Sequence, residues 1–221
     1  MDVEFYFDPV CTWCWVASRW LVEVAPLRDL RLSWRSFSKL IGLGTQGLRD
    51  RELIVRTASH RALRVVEAVR ADRPDAVQRL YEALTASAMV DDARVGQPFS
   101  NLPCTLRAAG LDECYAAAAH DERWDEAIRR SMAGAVAAVG DGAGPPLTVL
   151  RLDRRVGFHG PLVSPAPSGQ DALELWDALV KVAQVPGVFE ISRPRPSRPR
   201  LSPPWSSPAS LAIRTTFRGG R

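Results

Sequence analysis

No stretch of this 221-residue chain approaches the roughly 20 consecutive apolar residues that a helical membrane span requires. A membrane protein is therefore not expected. The start has no basic segment followed by an apolar leader. It goes straight into "VEFYF" (Val3–Phe7), which reads as folded structure, so the expectation is a cytoplasmic chain without a signal peptide. Four cysteines are too few for the disulfide framework of a secreted scaffold. The three histidines, His60, His120 and His159, are scattered without metal-ligand spacing, and the single Cys-X-X-Cys has no second copy. A zinc site needs about four ligands, so no metal is expected and no role is assigned to the histidines. The glycine-rich "IGLGTQG" lacks the Lys-Ser/Thr ending of a phosphate loop and the spacing of a dinucleotide fingerprint; it reads as a connection. Nothing specifies a flavin or nicotinamide site, so no tightly bound cofactor is expected.

Acidic residues are missing from the C-terminal part. Ile191 to Arg221 holds seven arginines and no Lys, Asp or Glu; removing these seven from a net charge of +4 leaves the rest of the chain at −3. The basic character thus belongs to the tail, and nucleic-acid binding by the folded part is not expected. Ser192 to Pro208 carries six prolines and four arginines, a composition that buries no core and reads as disordered or PPII-like. The remainder, within a chain 46% hydrophobic, is long enough for a sizeable core.

What is present is ordered as follows. Val3 to Phe7 reads as a strand, punctuated by "DPVC". From Cys14 to about Ala25, Val16, Trp20, Leu21 and Val24 recur at helical spacing until Pro26 stops the helix. "LRLSWRSF" (Leu30–Phe37) alternates again. The first forty residues read β-α-β, an arrangement whose strands are normally parallel. A helical block follows from about Arg51 to Val139. Ile54, Ala58, Ala62, Val65 and Val69 form one stripe; Val77, Leu80, Tyr81, Leu84 and Ala88 form another, with Pro74 suited to its first turn. Ala-rich "DECYAAAAHDERW" and "DEAIRRSMAGAVAAV" read as further helices, with acids early. "LTVLRL" and "RVGFH" read as a hairpin. "SGQDALELWDALVKVA" reads as a final helix with Ser168 as N-cap and Asp171 in its first turn. The order β-α-β, helices, β-β-α predicts an α/β protein: a thioredoxin-like core (1–40 and 141–190) with an all-helical insertion domain (41–140) and an Arg/Pro-rich tail (191–221).

Cys11 and Cys14 carry the chemistry. Such a pair serves as a zinc corner, as two packed thiols or as a redox couple. The reactive species in disulfide chemistry is the thiolate. A cysteine just before the first helical turn meets N–H groups without intrahelical partners and the positive end of the helix dipole, both of which favour negative charge. Cys14 lies one turn inside, within reach to resolve a mixed disulfide on Cys11. A Cys-X-X-Cys after a strand and opening a helix is best read as a redox pair. Cys104 and Cys114 read as small buried hydrophobes.

"FYFDPVCTWCWVASRWLVEVA" resembles the opening of DsbA-like proteins of the thioredoxin superfamily, and most of all the actinobacterial mycothiol-dependent nitroreductases, which typically read DPxCPWCW followed by SRW. "AIRRSMAGAVAAVGDGAG", "FHGPLVSPAP" and "LWDALVKVA…PGVFEI" extend the resemblance over about residues 2–195. It implies a thioredoxin core with a helical domain over the active site, and thiol–disulfide oxidoreduction with Cys11 as nucleophile and Cys14 as resolving thiol. A mycothiol-like low-molecular-weight thiol would be the reductant and a thioredoxin- or mycoredoxin-like reductase a partner. Some members reduce nitroaromatic compounds. Thr12 and Trp13 would line the substrate site, Trp13 stacking on a flat substrate or a thiol's sugar. The cis-proline that such folds place opposite the Cys-X-X-Cys corresponds to Pro146.

Three positions depart from the family. Thr12 replaces a Pro, which leaves the redox poise open within the superfamily's span of about −270 to −120 mV. Pro145 replaces a Thr and has no N–H to offer bound substrate. Asp91 and Asp92 stand where the family carries a His, which puts proton donation in nitro reduction in question. Two other readings remain at this point: a non-catalytic redox-sensing or binding module on the same fold, and an enzyme like the kappa-class glutathione transferases and isomerases, whose working residue is usually Ser where Cys11 stands.

Overall fold

A computed structural model describes residues 1–95, 98–142, 144–194 and 199, with the side chains of 90–95 excepted. The predicted tail beyond 194 and the side chains of Asp91 and Asp92 therefore lie outside the described residues. The chain divides into two compact units.

The first unit comprises Met1–Phe7, Cys11–Arg35 and the described residues from Ala133 onward. Its strands are β1 (Asp2–Phe7), β2 (Arg31–Ser36, the last residue of which belongs to the second unit), β3 (Leu147–Arg151) and β4 (Arg155–His159), arranged β2-β1-β3-β4. β1 and β3 are antiparallel with Glu4 opposite Val149; β3 and β4 form the expected hairpin with Val149 opposite Gly157. The central strand β1 is buried from Val3 to Phe7, as a strand covered on both faces must be. Phe5 and Phe7 meet the edge of Trp34, with ring centroids 5.4 and 6.1 Å away.

Two helices brace this sheet. Helix α1 (Thr12–Val24) ends where Ala25–Leu27, containing Pro26, tightens into a 3₁₀ turn. The last helix, α7 (Gly169–Gln184), packs on α1 through Trp20 and Trp176, whose ring centroids lie 5.9 Å apart. Both tryptophans are buried, and the Trp20 indole N–H donates to the Ala172 carbonyl at 2.9 Å. Ser168 does occupy the N-cap of α7, but its hydroxyl makes no capping bond. The Glu23 carboxylate of α1 accepts from the Gly169 N–H instead, at 2.6 Å. At the other end, the Arg154 guanidinium donates to the Ala183 carbonyl at 3.3 Å. Charges of both signs thus complement the helix dipole.

Glu4 and Tyr6 share one face of β1. The Glu4 carboxylate is buried and accepts from Arg151 (2.6 Å), Arg155 (2.5 Å) and the Tyr6 hydroxyl (2.8 Å). Burial alone would push Glu4 up; the bonds from Arg155, Arg151 and Tyr6 outweigh it and hold the group at about 2, against an ordinary 4.5. Because the folded value is depressed, the stabilisation is complete above pH 4.5 and is lost as pH falls from there toward 2. The expected loss is about 3 kcal/mol. Urea unfolding at pH 6 and pH 3 checks it: because Glu4 is still mostly ionised in the fold at pH 3, about 2 kcal/mol of that loss falls inside this window, and the difference between the two pH values should shrink by that amount in Glu4→Gln.

Gly157 sits directly against the end of α6 (Asp125–Val139). A Cβ there would lie 2.5 Å from Val139 Cγ1 and 2.7 Å from the Ala138 carbonyl oxygen. The helix backbone approaches the strand at a point where no side chain fits.

The second unit comprises Asp8–Val10 and Ser36–Met132. It holds α2 (Lys39–Gly42), α3 (Asp50–Asp72), α4 (Val77–Val95), α5 (Leu102–Ala108) and the first half of α6. The Val77, Leu80, Tyr81, Leu84 and Ala88 stripe is buried as expected. The other stripe is covered only in part: Ala62, Val65 and Val69 are buried, whereas Ile54 is 47% exposed. Periodicity identifies the apolar face of α3 but not how far along the helix that face is covered. "ECYAAAAH" (Glu113–His120) is a 3₁₀ helix, not an α-helix, and Glu122–Trp124 is another. The Asp112 and Asp121 side chains cap each short turn, accepting from the N–H groups of Cys114 and Arg123. These local bonds punctuate a segment whose composition favours a longer α-helix.

Candidate active site

Strand β1 ends at Phe7 and helix α1 begins at Thr12. Cys11 is the N-cap, in extended conformation (φ −83°, ψ 107°), and its carbonyl accepts the Trp15 N–H at 3.1 Å. Its thiol makes no capping hydrogen bond to the helix; it donates to the Pro145 carbonyl, with Sγ 3.5 Å from the oxygen. Two influences therefore act on this sulfur. The helix N-terminus favours negative charge there, while a carbonyl acceptor favours the protonated thiol.

Cys14 lies within the first turn of α1 and is fully buried; Cys11 is 5% exposed. No disulfide joins them. Thr12 and Trp13 are half-buried, and Pro145 and Pro146 are buried. The peptide between the two prolines is cis. Cys11, Cys14 and the Pro145 carbonyl thus come together within one unit, although 134 residues separate Cys11 from Pro145. In the turn after Cys14, the half-buried Arg19 places its guanidinium 4.3 Å from the centroid of the buried Trp15 ring, a cation–π geometry.

Cys104 and Cys114 are not the buried hydrophobes their type suggests. Cys104 is half-buried and Cys114 exposed. Each sits in the first turn of a short helix, where the amide oxygen of Asn101 or a carboxylate oxygen of Asp112 accepts its backbone N–H. The hydrogen bond from its side chain to Asp112 pushes the Cys114 thiol up.

A second polar cluster lies in the helical unit, on residues that sequence pattern left without a role. The Ser38 hydroxyl and His60 Nδ1 are 3.0 Å apart, and His60 Nε2 and Asp125 Oδ1 are 3.0 Å apart. Arg64 grips both oxygens of Asp125, at 2.6 and 2.9 Å. Ser38 Oγ also caps α2, accepting from the Ile41 N–H. Its own hydrogen is then available to His60 Nδ1, which leaves the ring proton on Nε2, facing Asp125. Burial pushes His60 down against the opposing pull of Asp125, in keeping with a neutral ring. Ser38 is 1% exposed, so this Ser-His-Asp series is a packed tie rather than a hydrolytic centre. Among the described residues, no group of three or more His, Cys, Asp or Glu is placed to hold a metal ion. No helix among them is long and apolar enough to cross a membrane.

Residues 10–193 match the model of the Rv2466c-like family, described as mycothiol-dependent nitroreductase Rv2466c. The chain belongs to that family. It is also 29% identical to the uncharacterized protein Rv2286c of Mycobacterium tuberculosis over 203 residues, covering 87% of this chain and 82% of that one. Among solved structures, Pseudomonas aeruginosa DsbA2 superposes with a TM-score of 0.53 at 21% identity, covering 81% of this chain and 88% of that one. The cytosolic disulfide reductase DsbM of the same organism, solved with GSH, gives 0.51 at 16% identity, covering 82% and 100%. These similarities bear out the DsbA-like thioredoxin fold. Membership of the Rv2466c-like family makes the chain an enzyme of the thiol–disulfide oxidoreductase and thiol-dependent reductase class.

Proposed function

We propose that this Rv2466c-like chain is a cytoplasmic thiol-dependent reductase that draws electrons from a mycothiol-like small thiol, with Cys11 as nucleophile and Cys14 as resolving thiol. The observation that carries the reading is Cys11 at the N-cap of α1 with Cys14 one turn inside. The Cys11 thiolate attacks a disulfide, one sulfur leaves as thiolate, and a mixed disulfide remains on Cys11. The Cys14 thiolate then attacks the Cys11 sulfur, releasing the second thiol and leaving a Cys11–Cys14 disulfide. Two equivalents of small thiol restore both cysteines and become the small-thiol disulfide. With a nitroaromatic acceptor, the same two electrons and two protons from the dithiol convert nitro to nitroso and release water. Thr12, Trp13, Pro145 and Pro146 are assigned to the substrate site. The mycothiol dependence named for the family, and GSH in the DsbM structure, support a small thiol as partner.

The test uses Cys14→Ser in a background where Cys104 and Cys114 are also Ser, because Cys114 is exposed. Under oxidising conditions with mycothiol, intact mass should rise by one mycothiol, and peptide mapping should place it on Cys11. The chain that retains Cys14 should instead show an internal disulfide. No adduct on Cys11 would overturn the assignment. The near-complete burial of Cys11 favours a second reading, a redox-sensing module. It predicts one round of oxidation without turnover.

A further inference from the structure

Asp8 is a carboxylate three residues before Cys11, and it is 1% exposed. Its two oxygens accept three hydrogen bonds, all from its own unit. Oδ1 takes the Val10 N–H at 3.1 Å and the Ser59 hydroxyl at 2.5 Å; Oδ2 takes the Lys39 N–H at 2.8 Å. The bond from Val10 closes Asp8–Val10 into a local turn of the kind aspartate makes with the backbone two residues on. The other two bonds fix that turn to two separate points, the start of α2 and the middle of α3.

Those two points are themselves locked together. Lys39 follows Ser38, and Ser59 precedes His60; Ser38 and His60 are hydrogen-bonded, and His60 is held in turn by Asp125 and Arg64. The anchor behind Asp8 is a closed, satisfied network, which resists rearrangement more than separate bonds do. Val10, the residue that Asp8 pins, is bonded covalently to Cys11. We propose that Asp8 is a positioning residue: acting through the Asp8–Val10 turn, it holds Cys11 at the N-cap of α1, where the helix N-terminus stabilises the thiolate. This rests on the reading of Cys11 as nucleophile.

The chemistry of the carboxylate agrees. Burial holds Asp8 above the ordinary carboxylate value, and the bonds from Ser59, the Lys39 backbone and Val10, with the Lys39 charge, offset that only in part. The titratable and charged groups of this surround are the Lys39 ammonium, the neutral His60 ring, Asp125 and Arg64. Three donors converge on an acceptor-only group, so an amide fits poorly: Asp8→Asn would set an NH₂ against one of the N–H or O–H donors.

The experiment follows iodoacetamide alkylation of Cys11 against pH by intact mass, in the full chain with Cys14, Cys104 and Cys114 replaced by Ser. Variants are Asp8→Asn, Ser59→Ala and, as a control, Glu67→Gln. Glu67 is an equally buried carboxylate of the same unit, bonded to Ser36 and Arg70. Asp8→Asn should raise the midpoint and slow alkylation at pH 7 about fivefold, the worth of a helix-terminus charge interaction. Ser59→Ala keeps the charge and removes one bond, and should shift the profile the same way by about twofold. Glu67→Gln should leave the midpoint where it was, whatever it does to thermal stability.

An unchanged midpoint in both Asp8→Asn and Ser59→Ala overturns the proposal. So does a lowered midpoint in Asp8→Asn, which would mean that Asp8 acts as a repelling charge. If Asp8→Asn lacks a cooperative thermal transition, Ser59→Ala decides. A parent protein whose Cys11 labels no faster than in urea would instead overturn the nucleophile reading beneath it.

Discussion

Cys11→Ser should lose turnover with disulfide and nitroaromatic acceptors by on the order of 10³-fold or more, the scale seen when a covalent nucleophile is removed. The same substitution should make the protein slightly more stable. Cys11 occupies an N-cap position without a side-chain cap bond, and Ser is among the best N-cap residues because its oxygen accepts from the first helical N–H groups. A gain of about 0.5–1 kcal/mol is the expected size. Loss of activity with a raised unfolding midpoint separates a missing nucleophile from a damaged fold. Retained turnover would sink the mechanism. It would point toward the kappa-class style of chemistry, in which a hydroxyl stands at this position.

Trp20→Ala should have the largest effect on folding. Trp20 is fully buried on α1, tilted against Trp176 of α7, and its indole N–H satisfies the Ala172 carbonyl. Truncation leaves a cavity of most of an indole and removes the indole's hydrogen bond, costing about 3–5 kcal/mol. At about 2–4 °C per kcal/mol in a chain of this size, the melting temperature should fall by roughly 10 °C. Calorimetry checks this. A fall of only a degree or two would mean that α1 and α7 repack around the gap. Trp20→Phe, which keeps most of the ring volume but not the N–H, should recover more than half of the loss and so apportion it between packing and hydrogen bond. Since α1 also carries Cys11 and Cys14, alkylation of Cys11 in Trp20→Ala reports whether looseness at Trp20 reaches the other end of the helix.

Much of this was legible because the deciding interactions are local. The alternation of Val3–Phe7, the helical stripe through Val16 and Trp20, and the hairpin about Arg151–Arg155 announce themselves within a few residues. The placement of Cys11 at a helix start follows from the same neighbourhood. Asp8, Ser38, Ser59, His60 and Asp125 were not legible, because no spacing relates them: their bonds cross 22 to 65 residues. Ser168 stands at the N-cap as the sequence marks it, but the bond there comes from the Glu23 carboxylate of another helix, which no local spacing announces. The Ala-rich Glu113–His120 misled because alanine's helix preference is general, whereas the two aspartates that shorten the turns act at single sites.

The approach of α6 to β4 at Gly157 bears on how related chains are to be compared. What is specified there is an empty volume about one methyl group across. A chain that carries alanine at the aligned position is not a mild variant of this one. It must seat its helix farther from the hairpin or start the helix in another register, so a single hydrogen at residue 157 marks the boundary between two ways of stacking the same layers.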